Sequence, residues 1–258
     1  MEGRRVSERT TEKFRSELDG LGAVLESRGV QIRRTAQVTP LPDEPLGLIQ
    51  MFPRDIMVVI GDVVVLCRPK CRARVKELRG LMPLIDELRR SGVKILELPQ
   101  TPGLFLEGGD VLVDLPNVYV GVGGHATTEP AIRWLAGQLQ PSVQVIPVRM
   151  SDPNEVHLDC CLSLIGSRLG IIHRPSVVAP LPAALQRHEW IEVDAKTKKQ
   201  VGVNVLMVDP RTVIIQPRHA ELGNALRARG MHTIELPFQM HAASAGSFRC
   251  ATMPLRHA

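Results

Sequence analysis

A unit of two short apolar strands, a helix and a third strand recurs along this chain, and a repeat of that size confines the fold to stacked or ring-closed arrays. The first copy begins at Asp55 with DIMVVIGDVVVLCRP, continues through the helical RARVKELRGLMPLIDELRRSG and ends on VKILELP. In the helix, Val75, Leu78, Leu81, Leu84, Ile85 and Leu88 stand three or four apart, the spacing of one buried face. The second copy opens at Gly109, with GDVLVDLPNVYVGVG, the helix TEPAIRWLAGQLQ and the strand VQVIPV; Thr127 and Thr128 ahead of Glu129 and Pro130 mark its helix start. The third opens at His157 and has a shorter helical piece around LPAALQRH; the fourth runs from Asn204 to MHTIELP.

From Asp55 to Gly109, His157, Asn204 and Cys250 the steps are about 54, 48, 47 and 46 residues. The tail GSFRCATMPLRHA supplies only an opening strand, while residues 9–40 supply a helix, TEKFRSELDGLGAVLESRG, and a strand, VQIRRTAQV. Head and tail together complete a fifth unit. Pairing the two chain ends closes the array and leaves no open edge, so the expected fold is α/β, a five-bladed α/β propeller of ββαβ units with pseudo-fivefold symmetry. A doubly wound parallel sheet is the competing fold, but its strands are not joined by the tight hairpin seen in each unit. One domain over residues 1–258 is expected, with the first ten or so residues lacking order.

The chain has 258 residues, 44% of them apolar, and its longest apolar runs, Ile56 to Ile60 and Val63 to Cys67, fall far short of the roughly 20 residues a membrane crossing needs. The charged start, MEGRRVSERTTEKF, has no apolar stretch of the secretory kind, so a cytoplasmic location is expected. Five cysteines, an odd number in a chain of this size, argue against a disulfide framework. Net charge is +5, yet basic and acidic residues are interspersed and only 3% of residues are aromatic, so neither nucleic acid nor membrane is an expected partner. A homodimer through an outer helix is compatible with the sequence and not required by it.

Unusual polar residues collect at the opening strand of each unit: Arg54 and Asp55, Glu107 and Asp110, His157 and Asp159, Asn204, and Cys250. In a closed ring these strands line the centre, which brings a thiol, an imidazole and several carboxylates to one pocket. A histidine in reach of a cysteine can take the thiol proton or return it to a leaving group. Carboxylates crowd together in low dielectric only when something positive lies between them, and a planar guanidinium presents N–H groups in a fork that two carboxylates can grip. A zinc site is the rival, but Cys67 and Cys71 with the adjacent pair Cys160 and Cys161 lack the gaps of a zinc ribbon, and no metal is expected. No phosphate-cradling glycine loop is present and no cofactor is expected. His241, in HAASAGSFRC just ahead of Cys250, is placed on a loop able to close over the site.

FPRD at Phe52 to Asp55, EGGD at Glu107 to Asp110, HLD at His157 to Asp159 and the cysteine of GSFRC, in that order, resemble the guanidino-group-modifying superfamily of arginine deiminases, dimethylarginine dimethylaminohydrolases and amidinotransferases. The resemblance spans roughly residues 20 to 256 and implies the five-bladed propeller fold, the pentein. It implies that Cys250 attacks the guanidinium carbon while Asp55 and Asp159 hold its nitrogens, that His157 protonates the departing amine, that Glu107 orients His157 and that Asp110 supports the pocket. Asn154 and Asn204 are second-tier contacts, and Arg54 or Arg249 either meets a substrate carboxylate or pairs with the neighbouring acids. Asp159 in HLD resembles deiminases and amidinotransferases, Glu107 in EGGD resembles the hydrolases, VNVLMVDPRTV from Val203 resembles the amidinotransferases, and the compact length matches the dimethylaminohydrolases. The expected activity is cysteine-dependent hydrolysis of the guanidino group of arginine or a substituted arginine. The alternatives are amidino transfer to an acceptor amine and a non-catalytic propeller that binds a cationic ligand.

Overall fold

A computed structural model describes residues 7–45, 49–166 and 168–255. Two compact units divide the described residues, one of 34–158 with 252–255, the other of 159–251 with 7–33. Each contains two three-stranded sheets of one design, an antiparallel hairpin whose second strand pairs in parallel with a third.

In the first unit the sheets are β1 (Met57–Ile60), β2 (Val63–Leu66), β3 (Lys94–Glu97) and β4 (Val111–Asp114), β5 (Asn117–Val122), β6 (Gln144–Arg149). The unbroken apolar runs are explained by burial on both faces. Val58, Ile60, Val65 and Cys67 pack toward Val111, Val118 and Val120, while Met57, Val59, Val64 and Leu66 pack toward Leu81 and Ile85. Gly61 turns the first hairpin at a φ of 58°, where a side chain would be strained. The helix expected after β2 is split. A 3-10 stretch, Arg72–Leu81, comes first, and α2 (Met82–Arg90) starts afresh with Pro83 in its first turn, where the missing N–H costs no helical hydrogen bond. Three residues per turn put Arg74, Glu77 and Gly80 on one buried face and leave Val75 exposed, so the apolar face expected at Val75 is corrected. The helix after β5, α3 (Glu129–Leu139), begins after Thr128 as expected.

The second unit holds β7 (Leu162–Ile165), β8 (Leu169–Ile172), β9 (Glu189–Glu192) and β10 (Leu206–Asp209), β11 (Thr212–Ile215), β12 (His232–Glu235). Short 3-10 turns, Arg174–Ser176 and Leu185–Arg187, take the helix position before β9, and α4 (Ala195–Lys199) follows it; α5 (Ala220–Arg227) precedes β12. Here too lies α1 (Glu8–Glu26), capped by the Ser7 hydroxyl, which accepts from Thr10 N–H; Leu21 and Leu25 pack with Leu206, Ile214, Phe238 and Phe248. Of the N-terminal residues expected to lack order, residues 1–6 lie outside the described residues, and the helix is formed from Glu8.

Four of the five expected units therefore carry their sheet. The strand expected over residues 30–38 and the opening strand expected in the tail are not formed among the described residues. Their backbone donors are engaged elsewhere. Ala36 N–H goes to the Gly80 carbonyl and Val38 N–H to the Gln50 side chain, while Cys250 N–H goes to the Asn204 side chain and Ala251 N–H closes a turn onto Ser247. No described helix is long and apolar enough to cross a membrane.

Candidate active site

In the first unit FPRD and EGGD each end in a 3-10 turn, Pro53–Asp55 and Gly108–Asp110, and these turns touch. The close approach explains the two glycines. A Cβ on Gly108 would lie 2.1 Å from the Arg54 carbonyl oxygen, and one on Gly109 would lie 2.5 Å from His157 Nδ1. His157 stands between two buried carboxylates, its Nε2 2.8 Å from Glu107 Oε2 and its Nδ1 3.6 Å from Asp55 Oδ1. Lys70 N–H holds the other oxygen of Glu107 at 2.9 Å. Asp110, fully buried, accepts Leu158 N–H on one oxygen and Thr127 N–H on the other, and the Thr127 hydroxyl accepts Glu107 N–H in return. The EGGD motif is thus braced against both the start of α3 and the residue after His157. Replacing Gly109 by Ala is expected to push the imidazole off its carboxylates and lower turnover about a hundredfold; a Gly109→Ala protein with native kinetics would contradict this placement.

Burial dominates the electrostatics of this cluster. It raises Asp55 above the ordinary carboxylate range, with His157 and Arg74 pulling the other way, and pushes Asp110 up to about 7. Burial also pushes Glu107 up, but the His157 hydrogen bond and charge and the Lys70 N–H together outweigh it and leave Glu107 below its ordinary value. An acid that holds its proton more firmly folded than unfolded contributes stability that is complete below the ordinary Asp range and lost as pH rises through its folded value. Urea midpoints are therefore expected to fall between pH 5 and pH 8, and less steeply in Asp110→Asn; a midpoint that rises over that window would refute this.

In the second unit Asp159, fully buried, lies with both carboxylate oxygens 3.8 to 3.9 Å from Cys250 Sγ and receives Arg249 Nη1 at 2.6 Å. Asn204 ties this cluster together. Its Nδ2 donates to the Asp159 carbonyl, and its single side-chain oxygen accepts the N–H groups of Ser247 at 3.2 Å and Cys250 at 3.1 Å. Phe248, between those residues, is anchored against Phe238 with ring centroids 4.6 Å apart. Gln216, just beyond β11, donates to the Ser247 hydroxyl at 3.3 Å and keeps its own buried Oε1 without a hydrogen bond.

Each expected site residue can now be placed. Asp55, Glu107, Asp110 and His157 form the first cluster; Asp159, Asn204, Arg249 and Cys250 form the second. Of the two arginines offered either to a substrate carboxylate or to a neighbouring acid, Arg249 pairs with Asp159, and Arg54 is buried in the turn beside Asp55. Asn154 is exposed and folded onto Asp152 in a turn, its N–H on Asp152 Oδ1 at 2.8 Å. The loop expected at His241 is not formed. In place of a closing loop, its segment forms the short helix α6 (Gln239–Ala243), and His241 is fully buried, with Nδ1 2.7 Å from Glu17 of α1 and its ring stacked on Phe238. Sequence reasoning missed Arg74, Glu77, Ser247 and Gln216; only the period-three spacing of the first two, read as a 3-10 face, offered a signal. All five cysteines are reduced thiols. Asp55, Glu107 and His157 bring three donor atoms within 4.8 Å of one another, but Glu107 already shares a proton with His157 Nε2, which engages that nitrogen's lone pair or its hydrogen.

A model of the family described as N,N dimethylarginine dimethylhydrolase, eukaryotic, matches residues 3–257. The protein YkgA of Bacillus subtilis (strain 168), described as uncharacterized, is 32% identical over 207 residues, which is 80% of this chain and 69% of the relative. Among solved structures, SxtG, an amidinotransferase from Microseira wollei in the saxitoxin biosynthetic pathway, aligns with a TM-score of 0.87 at 20% identity, over 97% of this chain and 85% of that one. The N-terminal domain of ArgZ, an arginine dihydrolase of cyanobacteria bound to product, aligns with a TM-score of 0.78 at 21% identity, over 94% and 85%. At these identities the two structures speak to the fold. Fold, motif order and family match together define a guanidino-group-modifying α/β protein. Within that superfamily the chain belongs to the N,N dimethylarginine dimethylhydrolase family.

Proposed function

We propose that this protein is a cysteine-dependent hydrolase that cleaves a guanidino C–N bond of arginine or a substituted arginine through a covalent adduct on Cys250. The observation that carries this reading is that the carboxylate beside the thiol, Asp159, already binds a guanidinium, that of Arg249. A substrate guanidinium presents N–H groups of the same kind to the same carboxylate. In this reading the Cys250 thiolate forms a C–S bond to the guanidinium carbon, and Asp55 and Asp159 accept its N–H groups. The departing amine takes its proton from His157 as the C–N bond breaks. His157, held by Glu107, then takes a proton from water, whose oxygen attacks the same carbon, and the C–S bond breaks to return the thiolate as the new carbonyl releases its remaining proton to solvent. Asp110 and Asn204 hold backbone in place and touch no reacting atom. The reading takes both clusters as serving one guanidinium, as the family resemblance implies.

Amidino transfer to an amine in place of water is the second reading, favoured by Asp159 in the HLD motif and by the Val203–Val213 segment. Mass spectrometry after rapid acid quench, with arginine, methylated arginines, agmatine and guanidinoacetate in turn, tests both. The hydrolase predicts a mass gain on the Cys250 peptide and a citrulline-type product without any acceptor. Product that appears only when glycine or ornithine is supplied would replace hydrolysis by transfer, and no adduct with any guanidine would overturn both in favour of a binding module. The five-unit ring and its single domain belong to the same proposal, supported by four three-stranded sheets of one design in sequence order, three of them with an α-helix ahead of the third strand, and by α1; a small-angle scattering profile unlike that of a closed ring would refute it.

A further inference from the structure

Arg74 is a buried cation that no motif accounts for. Its side chain is 9% exposed, and the two carboxylates it meets, Asp55 and Glu77, are 4% and 2% exposed. The manner of binding differs between the two. Glu77 takes the fork, through Nε at 3.2 Å and Nη2 at 3.0 Å, and Nη2 also reaches the Phe52 carbonyl at 3.2 Å. Glu77 is itself fixed from behind by Ile49 N–H at 2.6 Å. Asp55 receives a single bond, Nη1 to Oδ2 at 2.7 Å. A guanidinium that served only to neutralise Asp55 would place its fork there, since the paired contact is the stronger one. Here the fork is spent elsewhere, and Asp55 Oδ1 is left buried with no hydrogen bond, facing His157 Nδ1 at 3.6 Å. A buried acceptor without a donor is costly unless a ligand completes it.

We infer that Arg74 is a positioning residue for the guanidino reaction, tying down Oδ2 of Asp55 so that Oδ1 is kept for an N–H of the substrate guanidinium. The inference rests on the hydrolase reading above and adds to it the reason one carboxylate oxygen is available. Glu77 is the second part of the device, because it holds the Arg74 fork away from Asp55. Lys at position 74 keeps the charge and loses the fork, so it cannot hold both carboxylates in these orientations. The groups facing Asp55 are Arg74, His157 and Glu107.

The test reads adduct formation on Cys250 as a function of guanidine concentration, in the full chain, for Arg74→Lys, Glu77→Gln, Asp55→Asn and the Arg74→Lys/Asp55→Asn double variant. For Arg74→Lys the half-saturating concentration is expected to rise tenfold or more while the rate at saturation changes less than threefold. On the Asp55→Asn background the same change is expected to add less than twofold, because its effect runs through Asp55. Glu77→Gln, which keeps Arg74, Asp55 and the side-chain oxygen that receives Ile49 N–H and so is the second variant should Arg74→Lys fail to fold, lets the fork swing onto Asp55 and is expected to raise half-saturation at least fivefold. Half-saturation within twofold of the unsubstituted protein in a folded Arg74→Lys or in Glu77→Gln overturns the inference, as do losses that multiply in the double variant. Absence of any adduct in the unsubstituted protein overturns the hydrolase reading and takes this inference with it; an adduct there with unaffected variants overturns the inference alone.

Discussion

Cys250→Ala protein is expected to fold as the parent does and to turn over guanidines at least about ten-thousandfold more slowly, the scale on which removing a covalent nucleophile acts. The fold is spared because what fixes residue 250 is its backbone N–H on Asn204, which alanine keeps, and because the contacts of the sulfur with Asp159 are long. Guanidine binding is expected to persist, since Asp159 and Asp55 are untouched. Quenched samples of the variant should carry no added mass, and equilibrium dialysis with labelled arginine should still register binding. Turnover within tenfold of the parent would remove Cys250 from the chemistry and return the thiol to the role of a small buried hydrophobe.

Asn204→Leu is expected to cost both stability and activity. Leucine fills the volume but takes the acceptor from two buried backbone N–H groups at once, those of Ser247 and Cys250, and the donor from the Asp159 carbonyl. Each orphaned group costs about 1–3 kcal/mol, so a loss near 3 kcal/mol in urea denaturation is expected. Turnover is expected to fall at least about a hundredfold, because a thiol displaced by an ångström loses its line of attack. Asn204→Asp supplies the contrast, for it keeps the oxygen that receives both N–H groups. An Asn204→Leu protein with parental activity would show that the nucleophile loop is held by something other than this amide.

Much of this was legible in the amino-acid order, and the parts that were not share a physical reason. The repeat located the hairpins because strands buried on both faces leave unbroken apolar runs, as over Met57–Ile60 and again over Val63–Leu66. The polar residues at the unit openings were conspicuous because so few interrupt those runs, which is why the residues of both clusters were named from sequence. Periodicity failed where the backbone tightened. At 3.6 residues per turn Val75 belongs to the buried face, whereas at three per turn Arg74 and Glu77 do. Nothing local marks the chain ends as strandless either. Their donors are taken by Gly80, Gln50 and Asn204, partners far away in sequence. His241 was misplaced for the converse reason: a run of small residues reads as loop, and the α1 residues Phe14 and Glu17, over two hundred positions earlier, join Phe238 in making it a core histidine.

The crowding around Gly108 and Gly109 has a consequence for anyone wishing to alter which guanidines are accepted. Neither position has space for a methyl group, so randomising the middle of EGGD would yield mostly misassembled proteins and teach little about recognition. The opposite holds beside Gln216, whose buried oxygen carries no hydrogen bond: a donor introduced on a neighbouring side chain, with Gln216 and its bond to Ser247 kept, would gain an interaction without breaking one.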